Sequence, residues 1–199
     1  MEVFFTSDTH FCHDKGFLYE PRGFSNVKEM NEAIVERWNS VVKPEDTVYH
    51  LGDMALNDID EAMIYIRQLN GKIYWIYGNH DTNKKIDMIM DDCPNVWSLG
   101  WAHCEKFGKH SIYMSHYPTL TANFDDKHFT QHVIALYGHT HQQTNWLDPK
   151  NPFTYHVGMD SHDCMPVHFD EVMMDVRYRW NEIDKLPTII KPQDTYPYI

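Results

Sequence analysis

Residues 72–81 read KIYWIYGNHD, an aromatic and β-branched run that passes directly into four residues of a different kind. The run from Lys72 to Tyr77 predicts a buried β-strand, because such side chains pack well on a pleated surface. The segment Gly78-Asn79-His80-Asp81 could be an ordinary turn, since Gly, Asn and Asp are common turn residues. The choice depends on whether other strands in the chain end in the same way.

Four other predicted strands also deliver Asp or His at their carboxyl ends. They are 2–6 before Asp8-Thr9-His10, 47–51 before Gly52-Asp53, 112–115 before His116, and 133–137 before Gly138-His139-Thr140-His141. A single Asp-x-His triplet or Gly-Asp pair is weak evidence for a site. In open α/β sheets, however, functional groups gather in the crevice at the carboxyl ends of the strands. Five such ends together predict a functional site.

The segments between these strands have helical periodicity. Residues 26–42 place Val27, Met30, Ile34, Trp38 and Val41 on one helical face, and 59–69 and 84–91 predict two further helices. Alternating strands and helices in the first half predict a largely parallel sheet. The second half is richer in β-structure, with a hairpin turn at 107–109 and a strand at 154–157. The tail 187–199, with three prolines, predicts an irregular segment.

Length and composition limit the class of protein. A chain of 199 residues predicts one domain over 1–199, with no apolar run long enough to span a membrane and no leader sequence in MEVFFTSD. The four scattered cysteines predict reduced thiols and a cytoplasmic protein. A net charge of −12 argues against an extended nucleic-acid surface. It is compatible with a small phosphate ester or nucleotide, because bound divalent ions reverse the local field.

Taken in order, these motifs resemble those of the calcineurin-like metallophosphoesterase superfamily. The resemblance spans residues 3–141 and is carried by FFTSDTHFCH, DTVYHLGDM, GNHD, MSHYP and GHTH, with HVGMD following. The sequence that flanks the motifs is most similar to that of small single-domain bacterial and phage members. The resemblance implies an α/β fold in which two packed mixed β-sheets are flanked by helices.

The resemblance also implies a site for two divalent metal ions. One ion would be held by Asp8, His10, Asp53 and His141, and the other by Asp53, Asn79, His116 and His139, with Asp53 bridging the two. A set of imidazole, carboxylate and amide ligands without thiolates suits manganese first, and iron, zinc, cobalt or nickel as well. Two ions and two carboxylates give a local charge of about +2, which attracts a phosphate despite the acidic chain.

Two catalytic residues follow from the same resemblance. His80 would lie beside the scissile phosphate, steady the developing charge and protonate the leaving oxygen, while Asp81 would orient His80. A hydroxide bridging the two ions would attack phosphorus in line. No protein nucleophile is needed, so Cys12 is interpreted as a substitution at a position where relatives often have Gly.

Two residues are weaker candidates for substrate binding. His13 follows the first motif closely, although a surface histidine is an equal interpretation. Arg22 could grip a phosphate oxygen bidentately, although the order Pro-Arg-Gly-Phe differs from the Arg-Pro-Phe of related small members.

The predicted function is a phosphodiesterase that acts on a nucleotide-type substrate. The alternatives are a phosphomonoesterase, a nuclease, and a non-catalytic metal-binding scaffold. The acidic charge and short chain disfavour the nuclease. The complete set of motif residues disfavours the scaffold.

Overall fold

The computed structural model describes residues 1–121, 128–148 and 150–182, so the predicted irregular tail lies outside the described residues. In chain order its elements are β1 (Val3–Thr6), α1 (Gly16–Tyr19), α2 (Val27–Val41), β2 (Thr47–Leu51), α3 (Ile59–Ile66), β3 (Lys72–Ile76), α4 (Asn83–Asp92), β4 (Val96–Gly100), β5 (Ala102–Phe107), β6 (His110–Ser115), β7 (Val133–Tyr137), β8 (Thr154–His156), β9 (Val167–His168) and α5 (Phe169–Glu182). Short 3₁₀ turns lie at Phe129–Gln131 and Met159–Ser161.

The strands form two mixed sheets. The five-stranded sheet has the order β4-β3-β2-β1-β9, in which β1 to β4 are parallel and β9 runs antiparallel to β1. The four-stranded sheet has the order β5-β6-β7-β8, in which only the β5–β6 hairpin is antiparallel. The parallel first half, the hairpin at residues 107–109 and the two mixed sheets are confirmed.

Alternation along β1 shows how the layers pack. Phe5 is fully buried in one apolar cluster with residues of β6 and β7, such as Ile112 and Leu136, so this cluster lies between the two sheets. Phe4 lies in the other cluster with Trp38 of α2, on the opposite face of the strand. Successive residues of β1 therefore pack alternately under the helices and between the sheets, as the period of two requires.

Helices α2 and α3 begin at residues whose side chains cap the first turn. The Asn26 side chain accepts a hydrogen bond from the Glu29 backbone N–H at the start of α2, and Asp58 does the same for the first turn of α3. Such caps satisfy backbone donors that have no partner within the helix. Of the predicted inward face of α2, Met30, Ile34 and Trp38 are buried. No helix in residues 1–121, 128–148 and 150–182 has the length and apolar character needed to cross a membrane.

Candidate metal centre

The loops that follow β1 and β2 stay joined beyond the ends of the strands. The Asp8 N–H donates to the Gly52 carbonyl at 2.9 Å, and the His10 N–H donates to the Asp53 carbonyl at 3.0 Å. A bond from Met159 N–H to the Ser7 carbonyl at 3.1 Å links the same loop to the segment after β8, in the other sheet. These backbone bonds bring the predicted site residues of both sheets to one end of the molecule.

Two buried carboxylates form the floor of the site. Asp8 is 0% exposed and Asp53 is 1% exposed. The neighbouring residues His10 and His116 are each 1% exposed. The Asp53 Oδ2 atom lies 3.6 Å from His10 Nε2 and 3.3 Å from His116 Nε2, so it stands between imidazoles from two loops. Asp8 Oδ1 lies 3.6 Å from His10 Nε2 and 3.9 Å from His141 Nε2.

Several floor atoms lack hydrogen-bond partners although they are buried. Asp8 Oδ1 and both ring nitrogens of His10 have no partner among the described residues. Buried polar atoms are normally satisfied, so an unsatisfied group in a cluster of ligand-type atoms needs an explanation. Two groups have ligand atoms close enough for one cation each, namely Asp8 with His10 and His141, and Asp8 with Asp53 and His116. The residues present therefore fit divalent cations.

The remaining predicted ligands lie nearer the solvent. Asn79 Oδ1 is 2.9 Å from His116 Nε2, beside the Asp53 carboxylate. The His139 ring packs against both His116 and Tyr117, with ring centroids 5.1 Å and 4.6 Å away. Its backbone N–H donates to Asp8 Oδ2 at 2.9 Å, which ties the loop after β7 to the floor. The structure thus brings all seven predicted ligands together.

The backbone of the site is strained. Five of the seven predicted ligands have left-handed φ angles, with Asp8 at 58°, His10 at 48°, Asp53 at 56°, His139 at 70° and His141 at 47°. Left-handed conformations are uncommon outside glycine, and they concentrate at functional sites where the surrounding structure imposes them. Five of the nine non-glycine residues with left-handed φ angles in the described part of the chain are therefore predicted ligands.

Close approach between loops explains two of the glycines. A Cβ atom on Gly78 would lie 2.2 Å from Asp53 Oδ1, and one on Gly138 would lie 2.4 Å from Asp8 Oδ2. Both contacts are too short for any side chain to be added without displacing a floor carboxylate. The glycines of the GNHD and GHTH motifs are therefore needed for the carboxylates to stay where they are.

The electrostatics of the floor favour a bound cation. Burial alone would raise the pKa of Asp8, but the nearby imidazoles of His10, His116 and His141 outweigh burial and hold that pKa below its usual value. Burial would lower the pKa of His116, but the hydrogen bond to Asp53 and the charges of Asp8 and Asp53 raise it to about 8. A site that draws a proton onto a buried imidazole also draws a metal ion, which displaces that proton on binding.

His80 lies at the mouth of the site. Its side chain is 44% exposed, and its Nε2 atom is 3.9 Å from Asp53 Oδ2. Its backbone N–H donates to Asp53 Oδ1 at 2.8 Å, and its carbonyl accepts from Lys85 Nζ at 2.9 Å. The main chain is thus held firmly while the imidazole faces the opening.

Asp81 has a different role from the expected one of orienting His80. Its carboxylate accepts hydrogen bonds from the backbone N–H groups of Gly78 at 2.7 Å, Asp53 at 2.8 Å and Met54 at 3.2 Å. It therefore clamps the loops after β2 and β3 together. Burial and the nearby charge of Asp53 raise its pKa, although the three backbone donors oppose that rise.

We expect Asp81→Ala to destabilise the metal-free protein. The change leaves three backbone donors without their acceptor, and an unsatisfied buried donor lowers the free energy of unfolding by about 1–3 kcal/mol. Urea denaturation of the chelator-treated protein measures the effect. Asp91→Ala, at an exposed position of α4, is the matched control and should leave stability nearly unchanged. Equal stability of the two variants would contradict the clamp.

The two candidates for substrate binding have different surroundings. The His13 ring lies beside His10 and Phe17, with centroids 5.3 Å and 5.6 Å away, at the edge of the site. The Arg22 side chain is 0% exposed and binds Asp160 with two nitrogens. Its guanidinium serves the protein itself rather than facing a substrate, because Asp160 and backbone carbonyls occupy its donors.

Asp160 is a site residue that sequence reasoning missed. It follows β8 in the sequence Gly158-Met159-Asp160, which is a further strand end carrying an acidic residue. Its Oδ2 atom lies 2.9 Å from Nδ1 of His141. The signal was therefore the same as at the other strands, but GMD was not counted among the strand ends that build the site.

Cys12 is not placed as a nucleophile. The thiol is buried and accepts a hydrogen bond from the Asn31 side-chain amide at 3.5 Å. Burial, reinforced by the charge of Glu61, raises its pKa to about 12. A thiol with so high a pKa is protonated near neutral pH, whereas the thiolate is the nucleophilic form.

Comparison with known proteins agrees with this geometry. The family profile described as the calcineurin-like phosphoesterase superfamily domain matches residues 1–151. An uncharacterized protein of Methanocaldococcus jannaschii, MJ1445, is 45% identical over 82 residues, which cover 40% of this chain and about half (47%) of that relative's length. The Gene 66 protein of Mycobacterium phage D29 is 28% identical over 206 residues, covering 92% of this chain and 98% of the phage protein.

A solved structure shows the same fold. The protein of unknown function AQ665 from Aquifex aeolicus is similar with a TM-score of 0.65 and 23% identity, covering 87% of this chain and 98% of its own. The family profile covers most of the chain and includes every predicted metal ligand and His80. The chain therefore belongs to the calcineurin-like phosphoesterase superfamily, a family of metal-dependent phosphoric ester hydrolases.

Proposed function

We propose that this chain is a dinuclear metal-dependent phosphodiesterase acting on a small, nucleotide-type phosphate ester. One observation carries the proposal. The buried, unpartnered atoms of Asp8 and His10 lie beside Asp53, whose Oδ2 atom stands between imidazoles from two different loops. Burying carboxylates and imidazoles together in this way lowers the free energy of unfolding unless cations bind to them.

The chain's own residues divide into two ligand sets. Asp8, His10, Asp53 and His141 would hold one cation, and Asp53, Asn79, His116 and His139 would hold the other. When bound, two divalent ions lower the pKa of a coordinated water and neutralise charge on the phosphoryl oxygens. The buried carboxylates and the backbone bonds between the loops keep these ligands in place before substrate arrives.

His80 supplies the proton chemistry that the cations do not. Its side chain is 44% exposed, and its Nε2 atom lies 3.9 Å from Asp53 Oδ2. From there it can hold a proton and donate it to the oxygen of the departing group. The ring of Tyr117, 49% exposed and packed against His139, forms one wall of the mouth. Phe17, 73% exposed beside His13, lies on the side of His10.

These aromatic walls support a substrate with a planar organic group, such as a nucleobase. The acidic balance of the chain, 29 Asp and Glu against 17 Lys and Arg, disfavours a long nucleic acid. We further propose manganese as the metal, in line with a ligand set that lacks thiolates. A cytoplasmic location accords with four cysteines that all stand free of disulfides in the described part of the chain.

We also propose that residues 1–199 form a single domain. The family profile ends at residue 151, but β8 and β9 lie beyond it and each adds an edge strand to a different sheet. Val172 and Val176 of α5 are buried in the cluster between the sheets. The segment after residue 151 therefore shares its core with the part that the profile matches.

Metal removal tests the proposed function directly. We expect chelator treatment to lower hydrolysis of a chromogenic phosphodiester by about 10²-fold or more, because the cations supply several kcal/mol of stabilisation. Addition of Mn²⁺ should restore turnover, with a higher kcat/KM for the diester than for the corresponding monoester. Mn²⁺-dependent turnover with the opposite preference would indicate a phosphomonoesterase. Absence of turnover on either ester at full Mn²⁺ loading would contradict the proposal.

A further inference from the structure

A buried ion pair joins the loop after β1 to the turn after β8. Arg22 Nε donates to Asp160 Oδ1 at 3.0 Å, and Arg22 Nη2 donates to Asp160 Oδ2 at 2.8 Å. The two side chains are 0% and 4% exposed. Nη2 also donates to the backbone carbonyl of Asp8 at 2.8 Å. The ion pair is therefore anchored to the main chain of a predicted metal ligand, and its bidentate geometry fixes the carboxylate plane.

The same carboxylate contacts a second predicted ligand. Asp160 Oδ2 lies 2.9 Å from His141 Nδ1. An ionised carboxylate only accepts hydrogen bonds, so Nδ1 carries the proton, and a neutral ring then has its lone pair on Nε2. Nε2 is the atom that points to the floor, 3.9 Å from Asp8 Oδ1. Asp160 thus selects the tautomer of His141 whose Nε2 lone pair can bind a cation.

His141 has particular need of such support. Its side chain is 36% exposed, so packing alone does not fix the ring. The buried ring of His116, in the other ligand set, instead has Nδ1 2.8 Å from the Leu51 backbone carbonyl. The His116 ring is therefore oriented by a backbone carbonyl, whereas the His141 ring is oriented by the side chain of Asp160, which a substitution can change. Partners of this kind commonly change metal affinity by about 10–100-fold.

We propose that Asp160, held in place by Arg22, is a positioning residue for His141 and controls the occupancy of one of the two cation sites. The inference rests on the proposed two-metal function. It assigns to Arg22 the support of Asp160 rather than contact with the substrate. It also predicts a selective effect, because Asp160 makes hydrogen bonds and ion pairs to Arg22 and His141 but none to His116, His139 or Asn79 among the described residues.

Mn²⁺ binding to the full chain tests the proposal. Asp160→Asn keeps the side-chain shape but removes the charge and one acceptor oxygen. Titration of the chelator-treated protein should show two Mn²⁺ ions in the wild type. In the variant, one Mn²⁺ should bind within threefold of the wild-type Kd, and the other about 10–100-fold more weakly. The low-temperature electron paramagnetic resonance spectrum should change from a spin-coupled pair to an isolated Mn²⁺ ion.

Two controls separate positioning from general destabilisation. Asp163→Asn makes the same chemical change at an exposed position three residues away and should bind two Mn²⁺ normally. Because Asp160→Asn leaves a buried arginine without its partner, Arg22→Met with Asp160→Asn removes both charges and should show the same selective loss. In a His141→Ala background, Asp160→Asn should have no further effect on Mn²⁺ binding, since the two residues act through one contact.

Each outcome has a distinct meaning. Selective loss of one Mn²⁺ in the charge-free double variant, together with coupling to His141, supports the positioning role. Retention of both ions within threefold of the wild-type affinities, or equal weakening of both, would overturn it while leaving the metal centre intact. A wild type that binds fewer than two Mn²⁺ ions would refute the proposed metal centre, and the positioning role with it.

Discussion

Asp53→Ala is expected to lower turnover by about 10³-fold or more and to leave at most one Mn²⁺ ion bound. Asp53 Oδ2 stands between His10 and His116, and Oδ1 holds the backbone N–H of His80. The change therefore removes a shared ligand and loosens the loop that carries the proposed proton donor. Cations of this kind supply several kcal/mol of transition-state stabilisation, and each 1.4 kcal/mol or so is tenfold in rate.

A second substitution at Asp53 separates charge from shape. Asp53→Asn keeps an acceptor for the His80 N–H but removes the negative charge, so Mn²⁺ content should fall while the loop stays ordered. Mn²⁺ content by metal analysis and diester hydrolysis are measured on the same preparations, with exposed Asp91→Ala as the control. An Asp53→Ala protein that keeps two Mn²⁺ ions and near-normal turnover would rule out a shared ligand at this position.

His80→Ala is expected to keep both Mn²⁺ ions and to lower turnover by about 10²–10⁴-fold, the usual contribution of a positioned general acid. The imidazole is 44% exposed at the mouth of the site and belongs to neither ligand set. The loss should depend on the substrate. A nitrophenolate leaves readily without a proton, so its hydrolysis should suffer less than that of an ester with an alkoxide leaving group.

The leaving-group comparison distinguishes two roles for His80. Equal losses on good and poor leaving groups would show that the ring stabilises charge on the phosphoryl group instead of donating a proton. Loss of one Mn²⁺ ion would place His80 among the metal ligands and overturn the assignment. His103→Ala, at a partly exposed position on β5, provides a histidine control that should behave as the wild type.

The sequence could predict which residues lie together at the candidate site because each of them follows the end of a strand. The aromatic and β-branched residues of short strands such as β1 and β3 predict the strands themselves. A predicted metal ligand follows each strand within a few positions. Parallel pairing then brings those positions to one edge of a sheet. Neither step needs knowledge of distant contacts, so the clustering of these residues could be predicted from the sequence, whereas their division into two sets of metal ligands is what the family resemblance implies.

Contacts between distant segments could not be predicted in this way. Arg22 and Asp160 are 138 residues apart, and nothing near either residue indicates that a buried ion pair joins them. Arg22 was therefore assigned to substrate. The role of Asp81 was missed for a related reason, because backbone N–H groups leave no mark in a sequence. Left-handed φ angles at the ligands are likewise set by the surrounding fold.

The helix α5 was missed although its signal is present. Phe169, Val172, Met173, Val176 and Trp180 recur at helical spacing, and all pack in or against the cluster between the two sheets. This helical periodicity alone is sufficient to predict α5 from the sequence.

The left-handed φ angles of the predicted ligands limit which residues can replace them during evolution. Each such conformation costs about 1–3 kcal/mol for a residue other than glycine, and five of the predicted ligands carry it. In the metal-free chain, a glycine at these positions would relieve that cost, but only at the expense of a metal ligand. Folding stability and phosphoester chemistry therefore favour different residues at the same five positions.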